Sequence, residues 1–169
     1  MSGSIENRAS GKSGFAGAPI RLLTWHASKA MIPLVGRIAQ DIVSHHEETA
    51  SIRAELAALA GHGLPWPQRR RRYELEEKLA EAESALRQAL AELDGLGVLL
   101  LDGPTGLVGF PTMVNQKRSN FNWRPGEDDL GWWSYAGEDE RRPVPPDWIS
   151  NPPRRIVREN RERPVRKSR

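Results

Sequence analysis

The chain is 169 residues long, with 38% hydrophobic and 28% charged residues, no cysteine and a formal net charge of +3. This composition allows one domain with a modest core and spare ends; the missing thiols argue against a disulfide-stapled secreted scaffold and for a reducing compartment. The charge is unevenly spread: Arg154, Arg155, Arg158, Arg161, Arg163, Arg166, Lys167 and Arg169 stand against Glu159 and Glu162, a tail of +6 that leaves −3 for the body.

Residues 1–19 are rich in Gly, Ser and Ala and poor in large apolar groups. Such a segment buries too little surface to offset the entropy of ordering it, so disorder is expected there. It lacks the apolar run of a secretory signal, and apolar stretches such as Val98 to Leu101 are far too short to span a bilayer. A cytoplasmic protein without a membrane segment is expected. Gly11-Lys12-Ser13 resembles the end of a phosphate-binding loop, but Glu6 stands where that motif requires its first glycine.

Order is expected from about residue 20. Thr24 or Ser28 can cap a helix reaching about Ala60, with Pro33 falling in or near its first turn. Met31, Val35, Ile38, Ile42, His45, Thr49, Ile52, Leu56 and Leu59 follow alternating spacings of four and three, the seam of a helix that packs on another. Gly61-His62-Gly63 ends it. Leu64-Pro65-Trp66-Pro67 reads as a break, and a second helix is expected from about Tyr73 to Leu93, with Leu75, Leu79, Ala82, Leu86, Ala89 and Leu93 as its seam. Two such seams joined by a short Gly/Pro connection fold back as an antiparallel hairpin.

After Gly95-Leu96-Gly97 the composition shifts to Gly, Pro and aromatic residues. Strands are expected over Leu107 to Met113, Asn120 to Arg124 and Leu130 to Tyr135, with turns at Asn115-Gln116-Lys117 and Pro125-Gly126-Glu127-Asp128. Alternation puts Trp132 and Trp133 on opposite faces, so one ring is partly exposed. Residues 96–106 fit either a strand or an irregular crossover, and Val144 to Trp148 looks extended. The resulting reading is an α+β domain. An antiparallel, coiled-coil-like two-helix hairpin (20–94) packs at its base on a three-stranded antiparallel β meander (95–149), between a disordered N-terminal segment (1–19) and a basic disordered tail (150–169).

The blocks Gly106-Leu107-Val108-Gly109-Phe110-Pro111, Trp123-Arg124-Pro125-Gly126-Glu127, Trp132-Trp133 and Arg142-Pro143, with Met31-Ile32-Pro33-Leu34-Val35 near the start, resemble those of an uncharacterised bacterial family, a domain of unknown function. The resemblance covers about residues 20–145 and implies a fold more than an activity. It also implies Asp, Cys and His at the positions held here by Gly109, Asn122 and Ser134, so any site those three form in the family is altered in this chain.

Few residues offer chemistry. His45 lies on the first seam with Asp41 and Glu48 one turn to either side. Four-helix metal sites need matching ligands on a facing helix, however, and the second helix has no histidine. A register-setting polar contact suits His45 better, and no metal or other cofactor is expected. His26, His46 and His62 show no ligand spacing. Ser119, Ser134 and Thr112 have no histidine within the β unit to activate them and no nucleophile elbow. Glu127 is the one carboxylate set in a distinctive block; it can serve as a base near Arg142, or cap a turn and pair with Arg124 or Arg142.

The remaining candidates are contact residues. Trp66, between two prolines, with Arg69, Arg70, Arg71 and Arg72, would form an aromatic, basic hairpin tip. Trp123, Glu127, Trp132, Trp133 and Arg142 would form an aromatic surface on the β unit. Arg154, Arg155, Arg158, Arg161, Arg163, Arg166 and Lys167 could meet phosphates. These features point to a non-catalytic interaction protein with a protein partner, or with a second copy along the hairpin. The alternatives are a nucleic-acid- or ribosome-associated factor using the tail, and a degenerate enzyme centred on Glu127 and Arg142.

Overall fold

The computed structural model describes residues 21–61, 63 and 65–150; the expected disordered N-terminal segment, the basic tail and His62 lie outside them. Two long helices precede an antiparallel sheet. Helix α1 spans Trp25–Ala58 and is capped by Thr24, whose Oγ1 accepts the Ala27 N–H at 3.2 Å. Because the cap is Thr24 and not Ser28, Pro33 lies inside the helix and leaves the Lys29 carbonyl without its usual N–H donor. The start is anchored from outside: the Trp25 indole N–H donates to the Leu130 carbonyl at 2.8 Å, and the Leu23 N–H to the Pro111 carbonyl at 2.7 Å.

Helix α2 spans Trp66–Gly95, beginning seven residues before the expected Tyr73. A proline in the first turn gives up no helical hydrogen bond, since the first N–H groups of a helix have no intrahelical acceptor. Pro67 therefore starts this helix instead of delaying it, and Arg69 to Arg72 become part of its first turns. Its far end closes with the Gly97 N–H on the Asp94 carbonyl (2.8 Å) and the Val98 N–H on the Leu93 carbonyl (3.2 Å), around Gly97 at φ 72°. That pairing is a Schellman stop, with Val98 buried beside Leu93 as its hydrophobic contact.

The two seams meet as expected. Val35, Ile38 and Ile42 from α1 join Ala89 and Leu93 from α2 in the main core, while Ile52, Leu75 and Ala82 form a smaller cluster toward the tip. Arg53 to Glu83 (2.8 Å) and Arg71 to Glu55 (2.7 Å) tie the helices across their exposed flanks.

The sheet has five strands, not three, in the order β1 (Leu99–Asp102), β2 (Leu107–Val114), β3 (Lys117–Trp123), β4 (Trp132–Tyr135) and β5 (Arg142–Pro143), all antiparallel. Strand β1 is three leucines in a row followed by Asp102, and β5 is a two-residue edge ending in proline; neither carries the period of a half-buried strand. Val144 to Trp148 is not extended throughout: Pro146 opens a short helix α3 (Pro146–Ser150), with Asp147 in its first turn. The β2–β3 hairpin turns at Asn115 (φ 50°) and Gln116 (φ 63°), both left-handed as a tight two-residue turn requires.

Alternation in the central strands sends Val108, Phe110, Phe121, Trp123 and Trp133 to the inner face, where they join the helical core. Contact between layers is close. A side chain at Gly106 would strike Val43 and the Ala39 carbonyl, and one at Gly103 would strike His46, so the β1–β2 connection is pressed onto α1. Gly36 likewise leaves room for the Trp123 ring.

Candidate functional site

Two surfaces collect the residues singled out from the sequence. The first is the hairpin tip. Trp66 is 63% exposed and Tyr73 70% exposed, the two most exposed of the large hydrophobic residues described. Seven residues apart, they share one helical face with Arg69, Arg70, Glu74 and Glu77, and these six side chains border a shallow hollow of about 400 Å³. The Arg70 guanidinium lies 5.9 Å from the Trp66 ring. Arg70, Arg71 and Arg72 bond to Glu74, Glu55 and Glu76 at 2.7–3.0 Å. The tip is aromatic but not strongly basic, because carboxylates match most of its arginines. Tyr73 was not singled out from the sequence; its place seven residues after Trp66 marks it once the helix is known to begin at Trp66.

The second surface is the sheet with the β4–β5 loop. Glu127 sits in the turn after β3 and is 17% exposed. Its carboxylate accepts two N–H groups from Arg141, at 2.7 and 2.9 Å, and the Arg124 backbone N–H at 3.3 Å. The expected ion pair with Arg124 is present, its Nε 3.2 Å from Glu127 Oε1, but the stronger partner is Arg141, not Arg142. Arg142 turns to Glu138 (2.9 Å) and Glu140 (2.6 Å), with its guanidinium over the Trp133 and Tyr135 rings. Adjacent residues in a strand point to opposite faces, and a one-residue difference in position moved the expected pair apart. Burial raises the Glu127 pKa, but the Arg141 hydrogen bonds and charge, with the Arg124 N–H and charge, outweigh it and hold the carboxyl below its ordinary range. A carboxylate clamped in its charged form is a poor proton acceptor, so this geometry suits a structural clamp.

The tryptophans divide accordingly. Trp123 is buried on Gly36, its indole N–H donating to the Glu127 carbonyl at 3.0 Å. Trp133 is buried against Trp148 and Tyr135. Both belong to the core and are not contact surfaces. Trp132 is the partly exposed ring, at 39%, and the cation over it is Arg141 at 5.3 Å, where Arg142 was expected.

Among the described residues no group of three or more His, Cys, Asp and Glu side chains could hold a metal ion, and no helix is long and apolar enough to cross a membrane. His45 faces only Glu48, at 3.6 Å. Arg154, Arg155, Arg158, Arg161, Arg163, Arg166 and Lys167 lie outside the described residues.

The family model for the uncharacterized conserved protein DUF2203 matches residues 21–144, well over half of the chain. The chain belongs to that family. No curated protein and no solved structure matches it. The DUF2203 match runs from just before the α1 cap to just after β5, so it takes in the hairpin and the whole sheet.

Gly109, Asn122 and Ser134, set apart in sequence, come together on the outer face of that sheet. Gly109 pairs with Asn122 across β2 and β3, and the Asn122 side-chain amide donates to the Ser134 hydroxyl at 3.0 Å. Ser134 is therefore an acceptor within a polar cluster; no general base bonds to it.

Proposed function

We propose that this DUF2203 protein is a non-catalytic interaction protein that meets a protein partner through the outer face of its hairpin tip. The observation that supports this reading is the exposure of Trp66 and Tyr73 on one face of α2. Neither ring adds to the fold there, and large aromatic residues flanked by arginine are the usual anchors of protein contacts. The ion pairs of Arg70, Arg71 and Arg72 with neighbouring glutamates favour a protein over a polyanion at the tip, because the local positive field is largely cancelled. The clamped state of Glu127 favours a non-catalytic role over an enzyme centred on that residue.

The test is site-specific photocrosslinking in living cells, with a benzophenone amino acid at position 73 and, as control, at the exposed Ser84 of the same helix. A discrete adduct at position 73 that is absent at 84 identifies the partner; an adduct between two copies identifies it as a second chain. Binding of that purified partner should weaken by at least about tenfold in a Trp66→Ala/Tyr73→Ala protein. If position 73 gives no adduct beyond that at 84, or the double variant binds unchanged, the tip is not the contact surface.

A further inference from the structure

The outer face of the sheet holds a cleft of about 470 Å³ that the interaction role does not use. Leu101 and Leu107 line it, as do residues Gly137 to Asp139 of the β4–β5 loop. Its polar lining is Asn120, Asn122 and Ser134, with Arg141. These side chains are unusual for a sheet face: Asn120, Asn122 and Ser134 are 5%, 1% and 3% exposed, yet none is apolar. Asn122 donates to Ser134, but its Oδ1 is buried with no hydrogen-bond partner. The Nε of Arg141, whose two terminal nitrogens serve Glu127, is likewise buried and unpartnered. Buried polar groups in folded proteins are almost always paired. An acceptor and a donor left open in one cleft is a pattern that a ligand would complete.

We propose that this cleft binds a small uncharged ligand through an amide-type edge, an N–H beside a C=O. The ligand N–H donates to Asn122 Oδ1 and its carbonyl accepts from Arg141 Nε. Asp102, Glu138 and Asp139 also line the cleft and disfavour an anion, while Leu101 and Leu107 offer apolar surface to a small ring or chain. Neither open atom is accessible to solvent, so the ligand enters as the Leu101 side chain moves aside; that residue is 41% exposed and rests over Gly109. Such an edge occurs in the lactam of a nucleobase and in a primary carboxamide.

The two sources are separated by titrating the full chain, labelled with nitrogen-15, with uridine, guanosine, nicotinamide and propionamide in turn. The readouts are the side-chain NMR signals of the Asn122 amide and the Arg141 Nε–H. Saturable shifts of both signals are expected from the nucleosides or from the carboxamides, and the responding arm names the source. Asn122→Leu should weaken that affinity at least tenfold. Leu101→Trp, a change at a partly exposed position that blocks the entry, should abolish the shifts even if Asn122→Leu does not fold. The proposal is overturned if no probe moves both signals saturably, or if the shifts persist in Leu101→Trp.

Discussion

Replacing Glu127 by Gln should destabilise the protein at neutral pH and matter progressively less in acid. The Glu127 carboxylate takes both terminal nitrogens of Arg141, and the two side chains are only 17% and 19% exposed. A hydrogen bond to a charged group in such a setting contributes about 1.5–3 kcal/mol, whereas an exposed ion pair contributes at most about 1 kcal/mol. Glutamine keeps the shape and one acceptor but loses the charge and the second acceptor, which sets the loss at about 2 kcal/mol. The folded-state pKa of Glu127 lies below its ordinary value of 4.5. Its contribution is therefore fully present above 4.5 and is lost as the pH falls through the lower folded value. A protonated glutamic acid resembles glutamine, so the two proteins should converge in stability at the acid end. Urea unfolding followed by tryptophan fluorescence, repeated from neutral pH down to about pH 3, measures the gap directly. A gap under about 0.5 kcal/mol at neutral pH, or one that stays constant in acid, would refute the clamp as the source of the shift.

Three further outcomes test the packing. Ile42→Ala removes a side chain with no exposed surface from the main core, and should cost about 2–5 kcal/mol in the same urea assay. Gln116→Gly relieves a left-handed residue of its side chain in the β2–β3 turn; a gain of about 0.5–1 kcal/mol is expected, and a loss would mean that the turn is not held at φ 63°. Trp66→Ala with Tyr73→Ala should leave the unfolding free energy within about 0.5 kcal/mol of the parent, because both rings are mostly exposed; a larger loss would place them in the fold and weaken their assignment to a partner.

The helices were legible because their period is long and repeated. Eight seam positions on α1, with Leu59 at its C-cap, and six on α2 carry the same spacing, and that spacing identifies a helix seam. Their ends were less legible. Pro65-Trp66-Pro67 reads as a break by composition, yet a proline in a first turn is compatible with a helix, and that choice decided whether Arg69 to Arg72 were loop or helix. Strand β1 stayed one of two alternatives for residues 96–106 because Leu99 to Leu101 lack alternation, and β5 was illegible because Arg142-Pro143 is too short to show any. At the candidate site, the importance of Glu127 was visible from its block, but the choice between Arg141 and Arg142 depended on the path of the β4–β5 loop. No local pattern encodes that path. The same loop helps frame the cleft, so the polar cluster of Asn120, Asn122 and Ser134 could not be seen as a lining until the strands were paired.

The distribution of aromatic residues separates anchoring from contact in this fold. Trp25, Trp123 and Trp133 each bury their rings, and two of them spend their indole N–H on a backbone carbonyl: Trp25 on Leu130, which ties α1 to the chain before β4, and Trp123 on Glu127, which fastens the turn after β3. A ring fixed at both its apolar body and its polar edge is a structural joint, with nothing left to offer a partner. Trp66 is 63% exposed, and the cation beside its ring is Arg70 on the same helix face. The hairpin beneath it depends on a small cluster, Ile52, Leu75 and Ala82, supported by Leu56, Leu59 and Leu79. Less apolar surface is buried there than at the base, where both helices share the core with the sheet. The tip is thus the part of the molecule that can adjust at least cost to the fold, and it is also where the largest unattached rings are carried. The clamp of Glu127 and Arg141 has the opposite character: it joins the turn after β3 to the loop before β5 and holds the outer face of the sheet in one arrangement. An exposed aromatic tip on the hairpin and a clamped polar cleft on the sheet are compatible in one domain because they draw on separate parts of its core.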